Sequence, residues 1–339
     1  MSAKRIKIYL RSKGSLTYGW GHVVRSLTLS CYLNKSENSV RVLCSVEGDN
    51  AIKKFMSKQN VPFLCMNVGV SIKDEEHHLK EFEPDIIVID MLEVPTELLS
   101  ICRQNCRKLA IFNDLGLDYK IGDIIINPQL LSSYPVQRNG QRHLNGIDYF
   151  VIDEKMLQLR KQQKLVPTQV RSLLIVMGGC IHQQVFEILA KVIENIVDLG
   201  LMIYFLLGYA HDVDKDSINH LESMGTKCVF GTNKIEKLMY KADMAIASSG
   251  YVKYELAALG VPAILVSVVD HQETLGMEFV RKVTCAEYCG NIKKIDAIKI
   301  VEVVRQLAQD KERREKMAQE GRKLIDGKAL ERIEKELIG

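Results

Sequence analysis

Short apolar runs punctuate the first part of the chain, at Ile6 to Leu10, Val40 to Ser45, Phe63 to Met66, Ile86 to Ile89, Leu109 to Phe112 and Ile124 to Ile126, with helical stretches between them. Such alternation predicts a parallel sheet wound with helices. The runs are almost continuously apolar, as in strands whose two faces are both covered and meet no water. From about Asp148 to Gln169 the pattern gives way to a charged, Lys- and Gln-rich stretch ending near Pro167. A second series then begins, at Ser172 to Met177, Met202 to Leu207, Lys227 to Phe230, Met244 to Ala247, Ala263 to Val266 and Ala286 to Tyr288. After Ile295 the chain turns helical and highly charged, with Ile298, Val301, Val304 and Leu307 at helical spacing. The expected fold class is α/β, with two doubly wound domains over residues 1–155 and 156–318 and a C-terminal helical segment, 319–339, closing the fold. No solenoid-period repeat or low-complexity tract interrupts this plan. Two such domains facing one another make a cleft at the carboxyl ends of their strands, where open α/β sheets bind ligands.

Composition narrows the classes. A chain of 339 residues exceeds the size at which a single core stops growing. Its 47% hydrophobic and 26% charged residues are ordinary for a globular protein. The net charge of +4 is spread without a basic stripe, which argues against nucleic acid as a partner. Nine cysteines, odd in number and scattered through apolar runs, read as reduced thiols. Neither Cys102 with Cys106 nor Cys285 with Cys289 has histidines at zinc-site spacing, so neither metal nor cofactor is expected. The first apolar run is too short for a signal-peptide core or a membrane span, and a cytoplasmic location without membrane insertion is expected.

Candidate chemistry sits at the strand ends. Arg11 through Arg25 form a glycine-rich passage into the helix Val23 to Leu33, in which Gly19 and Gly21 permit positive φ and close ligand approach. His22, where the loop enters the helix, is placed to remove a proton from water or a sugar hydroxyl; equally, it is a polar residue satisfying backbone groups. Met177-Gly178-Gly179-Cys180 suits a turn that approaches phosphate, or a tight turn with no ligand. In Ser248-Ser249-Gly250-Tyr251 a small-residue turn opens a short helix stopped by Gly260 and Pro262, whose N-terminus can hold a diphosphate. Glu255, one turn in, is placed either to accept from a ribose diol or to sit exposed on the helix. Asp90, Asn113, Asp114, Asp270, His271 and Gln272 also lie at strand carboxyl ends, as sugar ligands or as loop and helix caps.

Taken together, Gly19-Trp20-Gly21-His22-Val23-Val24-Arg25, Phe112-Asn113-Asp114-Leu115, Ile175 to Gly179, and Ser249-Gly250 through Glu255 to Gly260-Val261-Pro262 resemble the UDP-sugar hydrolases of the pseudaminic-acid pathway. These, with related spore-coat polysaccharide proteins, belong to the GT-B superfamily of paired Rossmann-like domains. The resemblance covers nearly the whole chain, and the glycine–His–x–x–Arg element is its most specific part. It implies His22 as catalytic base, with water attacking the anomeric carbon and UDP leaving in an inverting, metal-independent step. Substrate contacts fall to Arg11, Gly21, Arg25, Asp90, Asn113, Asp114, Asp270, His271 and Gln272. Nucleotide contacts fall to Gly178, Gly179, Cys180, Ser249, Gly250, Tyr251 and the ribose-binding Glu255, with uracil near Gly231 to Ile235. Cys180 stands where a serine follows the paired glycines, and His271 where an Asp-Asn-Gln sequence is expected.

The leading expectation is a UDP-2,4-diacetamido-trideoxyhexose hydrolase in nonulosonic-acid biosynthesis, a monomer or weak oligomer whose partner is a nucleotide-activated amino sugar. The alternative enzyme is an inverting GT-B glycosyltransferase using a UDP- or CMP-sugar, with His22 deprotonating an acceptor hydroxyl. A non-catalytic nucleotide-sugar sensor is the third reading, against which the presence of His22 argues. Leu130 to Val136 is the one candidate for an apolar acceptor patch and reads better as a connection.

Overall fold

A computed structural model describes residues 5–14, 19–35, 40–48, 50–162, 164–208, 210–232 and 234–339. The chain divides into two compact units, residues 1–152 with 327–339, and residues 153–326.

In the first unit the elements are β1 (Ile6–Gly14), α1 (Gly21–Lys35), β2 (Val40–Gly48), α2 (Asn50–Met56), β3 (Phe63–Met66), α3 (Ile72–Phe82), β4 (Ile86–Asp90), α4 (Thr96–Gln104), β5 (Lys108–Phe112), β6 (Ile124–Asn127) and β7 (Arg142–Asn145). The strands form a parallel sheet in the order β3-β2-β1-β4-β5-β6-β7. Alternate residues of each strand serve opposite cores. Ile8 and Leu10 pack with Leu29, Leu33, Val88 and Phe112 on the face carrying α1, while Tyr9 packs with Leu79, Leu98 and Ile111 on the face carrying α3 and α4. Both faces being covered is why the strands read as unbroken apolar runs.

The second unit carries α5 (Glu154–Arg160), β8 (Ser172–Val176), β9 (Cys180–Ile181), α6 (Gln183–Glu194), β10 (Met202–Leu207), β11 (Ala210–His211), α7 (Lys215–Ser223), β12 (Lys227–Phe230), α8 (Ile235–Lys241), β13 (Met244–Ser248), α9 (Val252–Leu259), β14 (Ala263–Ser267), α10 (His271–Lys282), β15 (Ala286–Asn291), α11 (Ala297–Gln309) and α12 (Lys311–Leu324). Its parallel sheet runs β12-β10-β8-β13-β14-β15, and β9 pairs with β11 in a ladder of two residues each. Strand order steps outward in both directions from β8 and β13, the doubly wound pattern.

The end of the chain departs from the expected division at 318/319. Residues 319–324 complete α12, which packs on α9 so closely that a Cβ at Gly321 would lie 2.8 Å from the carbonyl oxygen of Ala257. After the crossover at Asp326/Gly327, α13 (Ala329–Ile338) returns to the first unit and buries Leu330, Ile333 and Leu337 in its core.

Candidate active site

In the first unit, Gly19 adopts φ +76°, and the carbonyl of Trp20 accepts the first bond of α1 from Val24 N–H at 3.0 Å. Of the two glycines that permit positive φ, Gly19 alone uses it, and Gly21 opens α1. Ser15 to Tyr18 of the expected glycine-rich loop lie outside the described residues. His22 and Arg25, three apart, share one helical face. Asp90 is the last residue of β4 and Asp114 follows β5 by two residues. Because β1, β4 and β5 are neighbours, these four side chains meet at the carboxyl edge of the sheet.

All four are nearly inaccessible, from 0% exposed at Asp90 to 6% at His22. His22 Nδ1 lies 2.8 Å from Asp90 Oδ1. Arg25 Nε donates to Asp90 Oδ2 at 2.6 Å and Nη2 to Oδ1, while Nη1 and Nη2 donate to the two oxygens of Asp114 at 3.0 and 3.1 Å. The guanidinium also stacks 4.1 Å above the Phe112 ring. Burial alone pushes the Asp90 carboxyl up, but Arg25 and then His22 outweigh it and hold it below the ordinary carboxylate range. Burial likewise opposes the charge on Arg25, and Asp114 with Asp90 more than restores it. An ionised Asp90 only accepts, so the proton of a neutral His22 sits on Nδ1 and the basic lone pair on Nε2.

His22, Asp90 and Asp114 each offer one ligand atom within 4.8 Å of the others, a set able to hold a divalent cation. Arg25 already donates to all four carboxylate oxygens of this set, supplying the positive charge a metal would bring.

Two residues expected at the substrate face other partners. Arg11, 1% exposed, shares the Tyr9 side of β1, where its Nε donates to Glu75 Oε2 at 2.9 Å and its Nη2 to Glu47 Oε2 at 2.8 Å. It holds α3 and the end of β2 to the sheet instead of joining the His22 cluster. Asn113 uses its whole amide to pin a loop, donating to the carbonyl of Leu117 and accepting from Leu117 N–H, both at 2.8 Å.

In the second unit the Gly178-Gly179 turn follows β8, with φ +97° at Gly178. Gly179 and Gly208 approach so closely that a Cβ at Gly208 would lie 2.0 Å from the Gly179 oxygen. Cys180 then enters β9 opposite Ala210. The N-terminus of α6 beyond it is already served by a carboxylate: Asp212 accepts from Gln183 N–H at 2.6 Å and lies 3.0 Å from His182 Nδ1. The His182 contact leads in holding the Asp212 carboxyl below its ordinary range.

The turn after β13 differs. Ser249, 0% exposed, sends both its N–H (2.9 Å) and its hydroxyl (3.0 Å) to the carbonyl of Val266. Ser267 Oγ lies 3.2 Å from Ser249 Oγ and 2.8 Å from the Tyr288 hydroxyl. With Ser249 donating to Val266, the remaining protons run from Tyr288 to Ser267 to Ser249. Tyr251 precedes α9 without a side-chain cap bond, and Gly260 ends the helix at φ +66°, as its Gly-Val-Pro ending predicts. Glu255 is largely enclosed; burial first, then Asp153, pushes its carboxyl up to about 7. Gly231, at φ +39°, donates to the carbonyl of Leu207 at 3.0 Å, and Ile235 opens α8; Asn233 between them lies outside the described residues. Gln272 Oε1 accepts from Val268 N–H at 3.2 Å. Asp270 is exposed, 3.4 Å from Asn291 Nδ2 and 3.6 Å from Lys294 Nζ, and His271 begins α10 at the surface.

No family model matches the chain. The spore coat polysaccharide biosynthesis protein SpsG of Bacillus subtilis is 25% identical over 332 residues, covering 94% of each chain. An uncharacterised protein of Methanocaldococcus jannaschii is 23% identical over 294 residues, 82% of this chain; the match spans 59% of that protein's own length. Among solved structures, MurG of Acinetobacter baumannii superposes with a TM-score of 0.67 at 14% identity, covering 98% of this chain and 99% of its own. The UDP-GlcNAc 2-epimerase of Neisseria meningitidis, bound to UDP-GlcNAc, gives 0.67 at 12%, covering 98% and 100%. The calicheamicin glycosyltransferase CalG4 gives 0.65 at 12%, covering 99% and 98%. The fold is GT-B.

Sequence reasoning named every member of the His22 cluster but not its wiring, and it missed Lys253, Asp212, Glu47 and Glu75. Lys253 leaves a visible signal: a lysine between Val252 and Tyr254 in a short helix whose only other charged residue is Glu255. The others carry none, because their partners lie far off in sequence.

Proposed function

We propose that this GT-B chain is a metal-independent, inverting glycosyltransferase that draws on a nucleotide-activated amino sugar. The observation that carries the reading is the buried His22–Asp90 pair locked by Arg25 at the carboxyl edge of the first sheet. A histidine so oriented exchanges its proton at Nε2. In the step proposed, Nε2 takes the proton of an acceptor hydroxyl as its oxygen bonds to the anomeric carbon. The bond from that carbon to the diphosphate oxygen breaks, and the electron pair leaves on the nucleotide. The N-terminus of α9 is assigned the departing diphosphate, since helix N–H groups and dipole favour an anion there. Glu255 is assigned the ribose. Support comes from relatives named for polysaccharide biosynthesis, for glycosyl transfer and for bound UDP-GlcNAc.

Water as the acceptor is the second reading, favoured by the Gly21-His22-x-x-Arg25 element that resembles the UDP-2,4-diacetamido-trideoxyhexose hydrolases. The same dyad would then activate water. The test is a panel of UDP- and CMP-activated amino sugars, offered with and without acceptor saccharides, following nucleotide release and the product's anomeric configuration. Acceptor-dependent release with inversion is expected. Fast release of UDP and free sugar without acceptor selects the hydrolase, and no turnover of any donor under any condition contradicts both.

A further inference from the structure

An ammonium taken out of water costs several kcal/mol unless partners replace its hydration. Lys253 is 1% exposed, in the first turn of α9 between buried Val252 and Tyr254. Its Nζ donates back to the carbonyls of Ser249 at 2.7 Å and Gly250 at 3.1 Å. It also sits 4.4 Å from the Tyr254 ring centroid and 5.7 Å from that of Phe279, faces that attract a cation. The side chain therefore fastens the turn from within the helix.

The consequence is electrostatic. A carbonyl at the mouth of a helix repels an anion, while the first helical N–H groups attract one. Lys253 draws both carbonyls toward the helix body and sets a positive charge behind the turn. Ser249 commits its N–H and hydroxyl to Val266, so the far side of the turn is anchored as well. The α6 N-terminus of the same unit has the opposite arrangement, with the Asp212 carboxylate already bound to it.

We propose that Lys253 is a positioning residue for the diphosphate of the bound nucleotide, acting through the Ser249-Gly250 turn and not by contact. This rests on the assignment of the diphosphate to α9. The test is calorimetric titration of the full chain and of Lys253→Met with UDP and, separately, with uridine, which lacks the diphosphate. The wild type is expected to bind UDP more tightly than uridine, and the variant to lose UDP affinity tenfold or more while uridine affinity stays within twofold. Unchanged UDP affinity overturns the proposal, and so does an equal loss for both ligands, the mark of a merely structural lysine. Should Lys253→Met not fold, Lys253→Arg carries the same comparison, since a reshaped donor mispositions the turn while keeping the charge. A wild type that does not prefer UDP overturns the α9 assignment together with the lysine's part in it.

Discussion

Replacing Arg25 with methionine keeps most of the side chain's volume and removes the charge that balances two buried carboxylates. Breaking a buried ion pair from one side costs about 3–5 kcal/mol, because the partner stays buried and unpaired. Ligand oxygens of Asp90 and Asp114 lie within 4.8 Å of each other. Without the guanidinium they repel by about 3.5 kcal/mol at an effective dielectric near 20. One carboxyl then escapes by binding a proton, the charge of its neighbour raising its pKa above the ordinary carboxylate range. In the wild type the Asp90 pKa is lowered, so its contribution is present above about pH 4 and lost below it. In the variant the raised carboxyl favours the fold at low pH, a contribution lost as pH rises through its raised pKa. The deficit of the variant should therefore grow from pH 5 to pH 8. Trp20, the single tryptophan, lies in the first unit, buried against Phe55 with ring centroids 5.3 Å apart. Urea unfolding followed by its fluorescence thus reports on the unit that holds the cluster. A deficit under about 1 kcal/mol, flat from pH 5 to 8, would refute the charge balance drawn here.

Two further changes probe function. Asp90→Asn exchanges the acceptor of the His22 proton for an amide that favours the wrong tautomer, and turnover should fall about 10³-fold or more, on the scale such orienting carboxylates show; near-normal kcat would remove Asp90 from the mechanism. Glu255, pushed up to about 7, accepts from both hydroxyls of a ribose diol more strongly when ionised, so binding favours release of its proton and UDP affinity should rise as pH increases from 6 to 8. Glu255→Gln should flatten that dependence, and a wild-type affinity independent of pH would count against the ribose role.

What the sequence shows, and what it hides, follows from geometry. Central strands such as Ile86 to Ile89 announce themselves because both faces are buried. Edge strand β7, Arg142–Asn145, does not, since Leu144 is its only buried residue. The two-residue strands β9 and β11 are too short to carry a period. Strand ends collect the site's polar residues, so Asp90 and Asp114 are legible as candidates. Their union with Arg25 is not, because it depends on β4 and β5 lying next to β1 in space. Arg11 shows the limit most clearly: alternation along β1 puts it on the Tyr9 side, toward Glu75 of α3, and one residue of register decides its role.

The role of His22 is tested most directly by single-turnover nucleotide release with the best donor from the panel, comparing the wild type with His22→Ala under conditions where both are saturated with donor. Loss of turnover by about a hundredfold or more, with donor affinity retained, is the expected result for removal of a general base. Release at the wild-type rate would contradict it and leave the cluster as a structural knot in a nucleotide-sugar binding protein.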